Sequence, residues 1–214
     1  MEHRLDINPL LRIYCESLST DENPDLLDLE RQTNLNTVKR LDASDKIQGR
    51  LISFISHILR PNLIVEVGTF TAYATGCLSE GLAPNGKIIS IEHNELYKQV
   101  ILNNLDKLGI ADKVDLKIGD AKEILPQISE PIDLLFLDAA KYEYGNYYDA
   151  TIDKVRSGGV ILADNTLWKG RVLEKERDRQ SQRMHEFNVK ISQDDRVELF
   201  ILPYRDGLTI VRKK

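Results

Sequence analysis

The chain has 214 residues, of which 42% are hydrophobic and 29% charged, and it carries a net charge of −5. This is ordinary folded-domain composition, with no basic excess for a nucleic-acid partner and no apolar run long enough to span a membrane. Cys15 and Cys77 allow one disulfide that a chain of this size does not need, and the start Met1-Glu2-His3-Arg4-Leu5-Asp6 is not a signal peptide, so the expectation is a cytoplasmic protein with reduced thiols.

Residues 7–41 read as helical. Pro9 and Pro24 each suit a first helical turn, and Leu10, Leu11, Ile13, Tyr14 and Leu18 form an apolar stripe. This segment is expected to pack over the main domain or against a second subunit. A second helical pattern carries Ile47, Leu51, Ile52, Ile55, Ile58 and Leu59, with Asp42 or Ser44 as its cap and Pro61 as its stop.

Strands and helices then alternate. Strands are predicted over Ile64–Val67, Lys87–Ile91, Val114–Ile118, Asp133–Leu137 and Gly159–Ala163. The helices between them are predicted over Ala72–Glu80, Glu95–Leu108, Ala121–Ile128 and Tyr142–Val155. That order implies parallel βαβ units. A charged helical stretch, Val172–Asn188, precedes two strands, Val197–Leu202 and Leu208–Arg212. Their linker is too short for a parallel crossover, so the pair is antiparallel.

The chemistry is expected at the carboxyl ends of the strands, where open α/β sheets bind ligands. Glu66 lies within the apolar run Leu63-Ile64-Val65-Glu66-Val67 and needs a partner there, and Gly68 lets the backbone turn beside a ligand. The turn has one glycine where a dinucleotide fingerprint has three, so it suits a nucleoside better than a pyrophosphate. Glu92 ends the second strand, near the interval of about 20 residues at which an acid grips ribose hydroxyls; the alternative is a helix N-terminal charge. Asp120 and Ala121 follow the third strand, where they border an adenine, cap the next helix, or do both.

Asp138 ends the fourth strand, and Asp164 and Asn165 end the fifth. If those ends are neighbours, two carboxylates and an amide oxygen form a set for a hard divalent cation, Mg²⁺ or Ca²⁺; otherwise each acid caps a helix or turn. Lys141 follows Asp138 by three residues; burial and a nearby cation would lower its pKa and make it a base towards a hydroxyl. Tyr142, Tyr144, Tyr147 and Tyr148 read as core or surface aromatics. Trp168 is a candidate flat wall for an aromatic substrate, and Lys175–Arg183 reads as a solvated helix face.

Six stretches, in order, resemble the cation-dependent S-adenosylmethionine O-methyltransferases, the catechol and caffeoyl-CoA group with its bacterial members. They are Val65–Tyr73, Ile91-Glu92, Gly119-Asp120-Ala121, Phe136–Lys141, Gly158–Gly170 and Asp206–Thr209. The resemblance implies a Rossmann-like α/β fold. Its seven-stranded methyltransferase sheet is mostly parallel, with a C-terminal antiparallel pair and helices on both faces. It implies a methyltransferase domain over 41–214 behind a helical segment over 1–40, in a single-domain chain. Glu66 and Gly68 would then contact the methionine end of S-adenosyl-L-methionine, near Ala74, with Thr69 and Phe70 also cofactor-binding, Glu92 at the ribose, and Asp120 and Ala121 at the adenine. Asp138, also beside the cofactor, would bind a divalent cation with Asp164 and Asn165: Mg²⁺, with Ca²⁺ or Mn²⁺ as alternatives. Lys141 would be catalytic, Trp168 would face a hydroxylated aromatic acceptor, and the protein would be a homodimer. Two departures stand out: Ala72-Tyr73-Ala74 replaces the family's Gly-Tyr-Ser, and Ala140 stands where many bacterial members have an acid. A nicotinamide-dependent reductase and a non-catalytic methyltransferase-like binding protein are the competing readings.

Overall fold

The structure, a computed structural model, describes residues 9–36 and 46–214. Its strands are β1 (Leu63–Val67), β2 (Lys87–Glu92), β3 (Val114–Ile118), β4 (Ile132–Leu137), β5 (Val155–Asp164), β6 (Val197–Leu202) and β7 (Leu208–Lys213). Its helices are α1 (Pro9–Leu18), α2 (Pro24–Asn36), α3 (Lys46–Leu59), α4 (Tyr73–Ser79), α5 (Lys98–Lys107), α6 (Ala121–Ile124), α7 (Tyr144–Thr151) and α8 (Arg179–Ser192). The proposed cap of α3, Asp42 or Ser44, lies outside the described residues.

One seven-stranded sheet runs in the order β3-β2-β1-β4-β5-β7-β6. The first five strands pair in parallel, and β7 inserts antiparallel between β5 and β6. This is the expected architecture, and its physical basis is direct. Every residue of β1 and β4 is buried, as continuous apolar runs require when helices cover both faces. One apolar cluster joins the sheet to Leu125, Tyr144, Tyr148, Phe187 and Ile191. The other joins it to Leu26, Leu29, Ile52, Cys77 and Leu78. Residues of α2 therefore share a core with α3, α4 and the sheet.

Two predicted helices are corrected. The stretch Tyr142–Val155 contains a 3₁₀ turn, Lys141–Glu143, and then α7, which ends at Thr151. Val155 already belongs to β5, opposite Ile132, because the backbone N–H of Ile132 donates to Lys154 O and draws that segment into the sheet. The stretch Val172–Asn188 is also broken. A turn over Trp168–Leu173 is followed by a charged connection, and α8 starts only after Asp178, whose side chain accepts from the Ser181 N–H. Glu174–Arg177 has no apolar period to hold a helix on the core, while Asp178 supplies an N-cap.

The loop after β1 is strained. Phe70 and Ala72 adopt left-handed backbone at φ 52° and φ 68°. A Cβ in that region crowds the following carbonyl. Relief at Ala72 is opposed by glycine's greater flexibility in the unfolded chain. The Ala72 methyl is also fully buried, so Ala72→Gly should change the unfolding free energy by less than about 1 kcal/mol in urea titrations, the relief of strain offsetting the lost contact and the added flexibility; a loss of about 2 kcal/mol would show that Ala72 is not strained.

Candidate active site

The carboxyl ends of the parallel strands open into a cavity of about 540 Å³. Its lining includes Gly68, Phe70, Glu92, Asp120, Ala121, Asp138, Lys141, Asn165 and Trp168. Nine of the expected site residues thus share one cavity. The other four, Glu66, Thr69, Ala74 and Asp164, are not among its lining residues.

Glu66 is fully buried in β1. Its Oε2 accepts from Thr75 Oγ1 and Ser90 Oγ, both at 2.6 Å, and Thr69 Oγ1 lies 2.6 Å from Ser90 Oγ. Its Oε1 has no hydrogen-bond partner among the described residues. Burial raises its pKa to about 7 against the pull of Ser90 and Thr75, with Asp138 and Glu92 adding to the rise. The expected partner exists, as a pair of hydroxyls rather than a cation. Glu92 is set by two backbone N–H groups: Phe70 N donates to Oε2 at 2.9 Å and Asn94 N to Oε1 at 2.8 Å. Asp120 caps α6, accepting from Lys122 N at 2.9 Å, and also lines the cavity, so both of its predicted roles are compatible with its place.

The ends of β4 and β5 are neighbours, with Leu137 opposite Ala163 one residue before each acid. Gly68 makes this junction possible. A Cβ there would sit 2.1 Å from Asp138 O, and Asp138 N donates to Val67 O at 2.9 Å. Lys141 Nζ donates to Asp138 Oδ1 at 2.5 Å and to Tyr144 OH at 3.1 Å. Tyr144 is wholly buried, with its hydroxyl 2.9 Å from Leu137 O and 3.2 Å from Asp164 O. Burial works against charge on Lys141, but Asp138, Tyr144 and Asp164 outweigh it and hold the pKa above the ordinary lysine range. The lowering expected from burial is thus reversed by these neighbours. Asp164 is buried, and desolvation, then repulsion from Asp138, push its pKa up to about 6.

Sequence reasoning missed Gln48. It is buried on α3, and its Nε2 donates to Asp164 Oδ2 at 2.7 Å, while Asn165 N donates to Oδ1 at 2.7 Å. The available signal was a long polar side chain at helical spacing from Ile52, Ile55 and Leu59. Tyr142 and Tyr147, read as core or surface aromatics, line the cavity, as does Tyr97, which packs edge-on to Phe70 at 5.0 Å. Tyr148 is core, its hydroxyl donating to Asp194. No cluster of three or more His, Cys, Asp or Glu residues that could hold a metal occurs among the described residues. The candidate cation set is two carboxylates and the Asn165 amide.

A model of the O-methyltransferase family matches residues 16–214. A curated relative, caffeoyl-CoA O-methyltransferase 1 of Eucalyptus globulus, is 32% identical over 178 residues, covering 78% of this chain and 72% of that protein. The crystal structure of the O-methyltransferase TomG from Streptomyces achromogenes, in complex with SAM, superimposes with a TM-score of 0.88 at 24% identity, covering 96% of each chain. An O-methyltransferase from Bacillus cereus in complex with SAH gives a TM-score of 0.86 at 24% identity, over 96% of this chain and 97% of that one.

The folded chain holds a proton on Glu66 up to about pH 7, whereas an unfolded carboxyl releases it near 4.5. That contribution to stability is complete below pH 4.5 and is lost as pH rises through 7. The unfolding free energy of ligand-free protein should therefore fall between pH 5 and pH 8. Glu66→Gln should flatten that fall by roughly 2–3 kcal/mol in urea titrations at the two pH values; an unchanged slope would assign the pH dependence to another group.

Proposed function

Because the chain belongs to the O-methyltransferase family, we propose that it moves the methyl group of S-adenosylmethionine to a hydroxyl of a catechol-like molecule, with a divalent cation required. The observation that carries this reading is the meeting in one cavity of Glu92, held by backbone amides, with the Asp138–Lys141–Asn165 group.

The residues fit both absent groups. On the cofactor side, Glu92 offers oriented lone pairs to ribose hydroxyls, and Asp120 and Ala121 stand at the end of the adjacent strand. Glu66 Oε1 is a buried acceptor in want of a donor near Gly68. On the cation side, Asp138, Asp164 and Asn165 supply hard oxygen donors suited to Mg²⁺, and Gln48 holds Asp164 in place. The cofactor supplies an electrophilic methyl on a sulfonium, and the cation supplies positive charge that acidifies a bound hydroxyl.

Lys141 takes the hydroxyl proton at Nζ. Its high pKa depends on Asp138 and Asp164; once their charge is compensated, burial is left as the dominant influence and brings the ammonium towards a neutral base. With the methyl donor bound, Trp168 and Tyr147 would hold the acceptor ring in place against it, so that positioning supplies much of the rate. The described part of the N-terminal segment, α1 and α2, forms a cover in this reading: Thr33 on α2 hydrogen-bonds Thr71 of the cofactor loop at 2.9 Å. A cytoplasmic location belongs to the same reading and is supported by two free cysteines, Cys15 and Cys77. Among the described residues no helix is long and apolar enough to cross a membrane.

Homodimerisation completes the reading. Leu10, Leu11, Ile13, Tyr14 and Leu18 of α1 are 56–74% exposed, and Phe54 and Ile58 of α3 are 63% and 70% exposed. Apolar exposure of this extent on one region marks an interface. Sedimentation should give a dimer, converted to monomer by Tyr14→Glu with Ile58→Glu; a monomeric wild type would overturn it.

Transfer of labelled methyl from S-adenosylmethionine to catechols should occur with Mg²⁺ and vanish with EDTA. Asp164→Ala should abolish both transfer and calorimetric Mg²⁺ binding. Chelator-resistant transfer would remove the cation from the proposal, and absence of both transfer and S-adenosylhomocysteine binding would remove the whole reading.

A further inference from the structure

Among the described residues that line the cavity is a lysine that the transfer reaction does not use and that no carboxylate pairs. Lys169 lines it, next to Trp168, and is exposed. Its backbone is left-handed at φ 54°, between Trp168 at φ 46° and Gly170 at φ 75°. Two of these three residues carry a Cβ, and left-handed backbone is disfavoured for them, a kind of strain that concentrates at functional positions. The conformation is held from outside the loop: Lys169 N donates to Asp206 Oδ1 at 3.0 Å, Leu167 N to Asp206 O at 2.7 Å and Thr166 N to Gly207 O at 3.0 Å.

The other charges of the cavity are matched. Lys141 is paired with Asp138 at 2.5 Å, and Lys122 with Glu143 at 3.2 Å and Asp120 at 3.7 Å. Glu92 is occupied by backbone N–H groups. Asp206 uses Oδ1 to accept from the Lys169 backbone, and no carboxylate among the described residues lies within 4 Å of the Lys169 ammonium. Gln180, which also lines the cavity, is neutral. A flexible point charge without a carboxylate partner among the described residues is therefore carried into the cavity by the segment that also bears Asn165 and Trp168.

We propose that Lys169 is a specificity-determining residue that receives an anionic substituent, a carboxylate or a phosphate, carried by the acceptor beyond the ring that reacts. The inference rests on the O-methyltransferase reading of this cavity. A lysine suits either anion, because its ammonium sits on a four-carbon stem and demands no fixed geometry. Neutral catechols would occupy the same ring position without that contact.

The test is a ratio. Initial rates with S-adenosylmethionine and Mg²⁺ are measured for 3,4-dihydroxybenzoate and for its methyl ester, which differ in charge and little in shape. Wild type should prefer the carboxylate in kcat/KM, mainly through KM, and the preference should shrink as salt is raised. Lys169→Met should reduce the carboxylate-to-ester ratio by about tenfold, and Lys169→Glu should reverse it. Any general loss from altering the loop affects both probes and cancels in the ratio. Caffeate compared with its coenzyme A thioester separates the two anion sources: a drop on Lys169→Met for the acid alone assigns a carboxylate, for the thioester alone a phosphate. Ratios unchanged by both variants would overturn the inference while leaving the reaction intact. No transfer to any probe, together with no calorimetric binding of any in the presence of S-adenosylhomocysteine, would overturn the reaction and the inference with it.

Discussion

The close approach of two backbones, at Gly68 and at Asp138, is the constraint around which this molecule is arranged. Nothing larger than hydrogen fits on Gly68, because any Cβ would fall 2.1 Å from Asp138 O. Gly68 N is bonded to Ile91 O and Asp138 N to Val67 O, so three strand ends are locked together at that point. The loop that follows β1 and the acid that follows β4 are consequently parts of one rigid junction. A site that must hold a cofactor against an acceptor needs that rigidity, since displacements of about 1 Å are expensive in reactions that depend on alignment.

The same junction sets the electrostatics. Three acids, Glu66, Asp138 and Asp164, stand where strands built for burial come to an end. Two of them, Glu66 and Asp164, are displaced upward in pKa by desolvation before any neighbour acts. Lys141 and Tyr144 answer the crowding on the β4–β5 side, and Ser90 and Thr75 answer it on the β1–β2 side. The molecule thus maintains a high density of negative charge by local hydrogen bonding, an arrangement ready for cationic ligands and costly without them.

Much of this was legible in the residues. The apolar runs of β1 and β4, each ending in an acid, carry both the parallel sheet and the position of its chemistry. The short gap before β7 carries the antiparallel turn. Boundaries were harder where tertiary contacts overrule local pattern: Val155 looks like helix until Ile132 claims its neighbour, and Glu174–Arg177 looks helical because charge hides the lack of an apolar face. Gln48 and Asp164 lie 116 residues apart, and only the packing of α3 across the sheet joins them. The tyrosines Tyr142 and Tyr147 gave no local signal either, since a pocket wall and a core position share the same apolar face.

The acceptor side depends on contacts made late along the chain. Asp206 and Gly207 fasten the segment Thr166–Lys169, Thr209 Oγ1 donates to Thr166 Oγ1 at 2.7 Å, and a side chain at Gly207 would strike Leu167. The expected nucleoside contacts, by contrast, come from Glu92, Asp120 and Ala121, all earlier in the chain. During synthesis, a ribosome-bound chain can therefore build its nucleoside side while its acceptor side is still unformed. Residues 206–211 must leave the ribosome before β7 can enter between β5 and β6, so the acceptor side is the last part of the site to take shape.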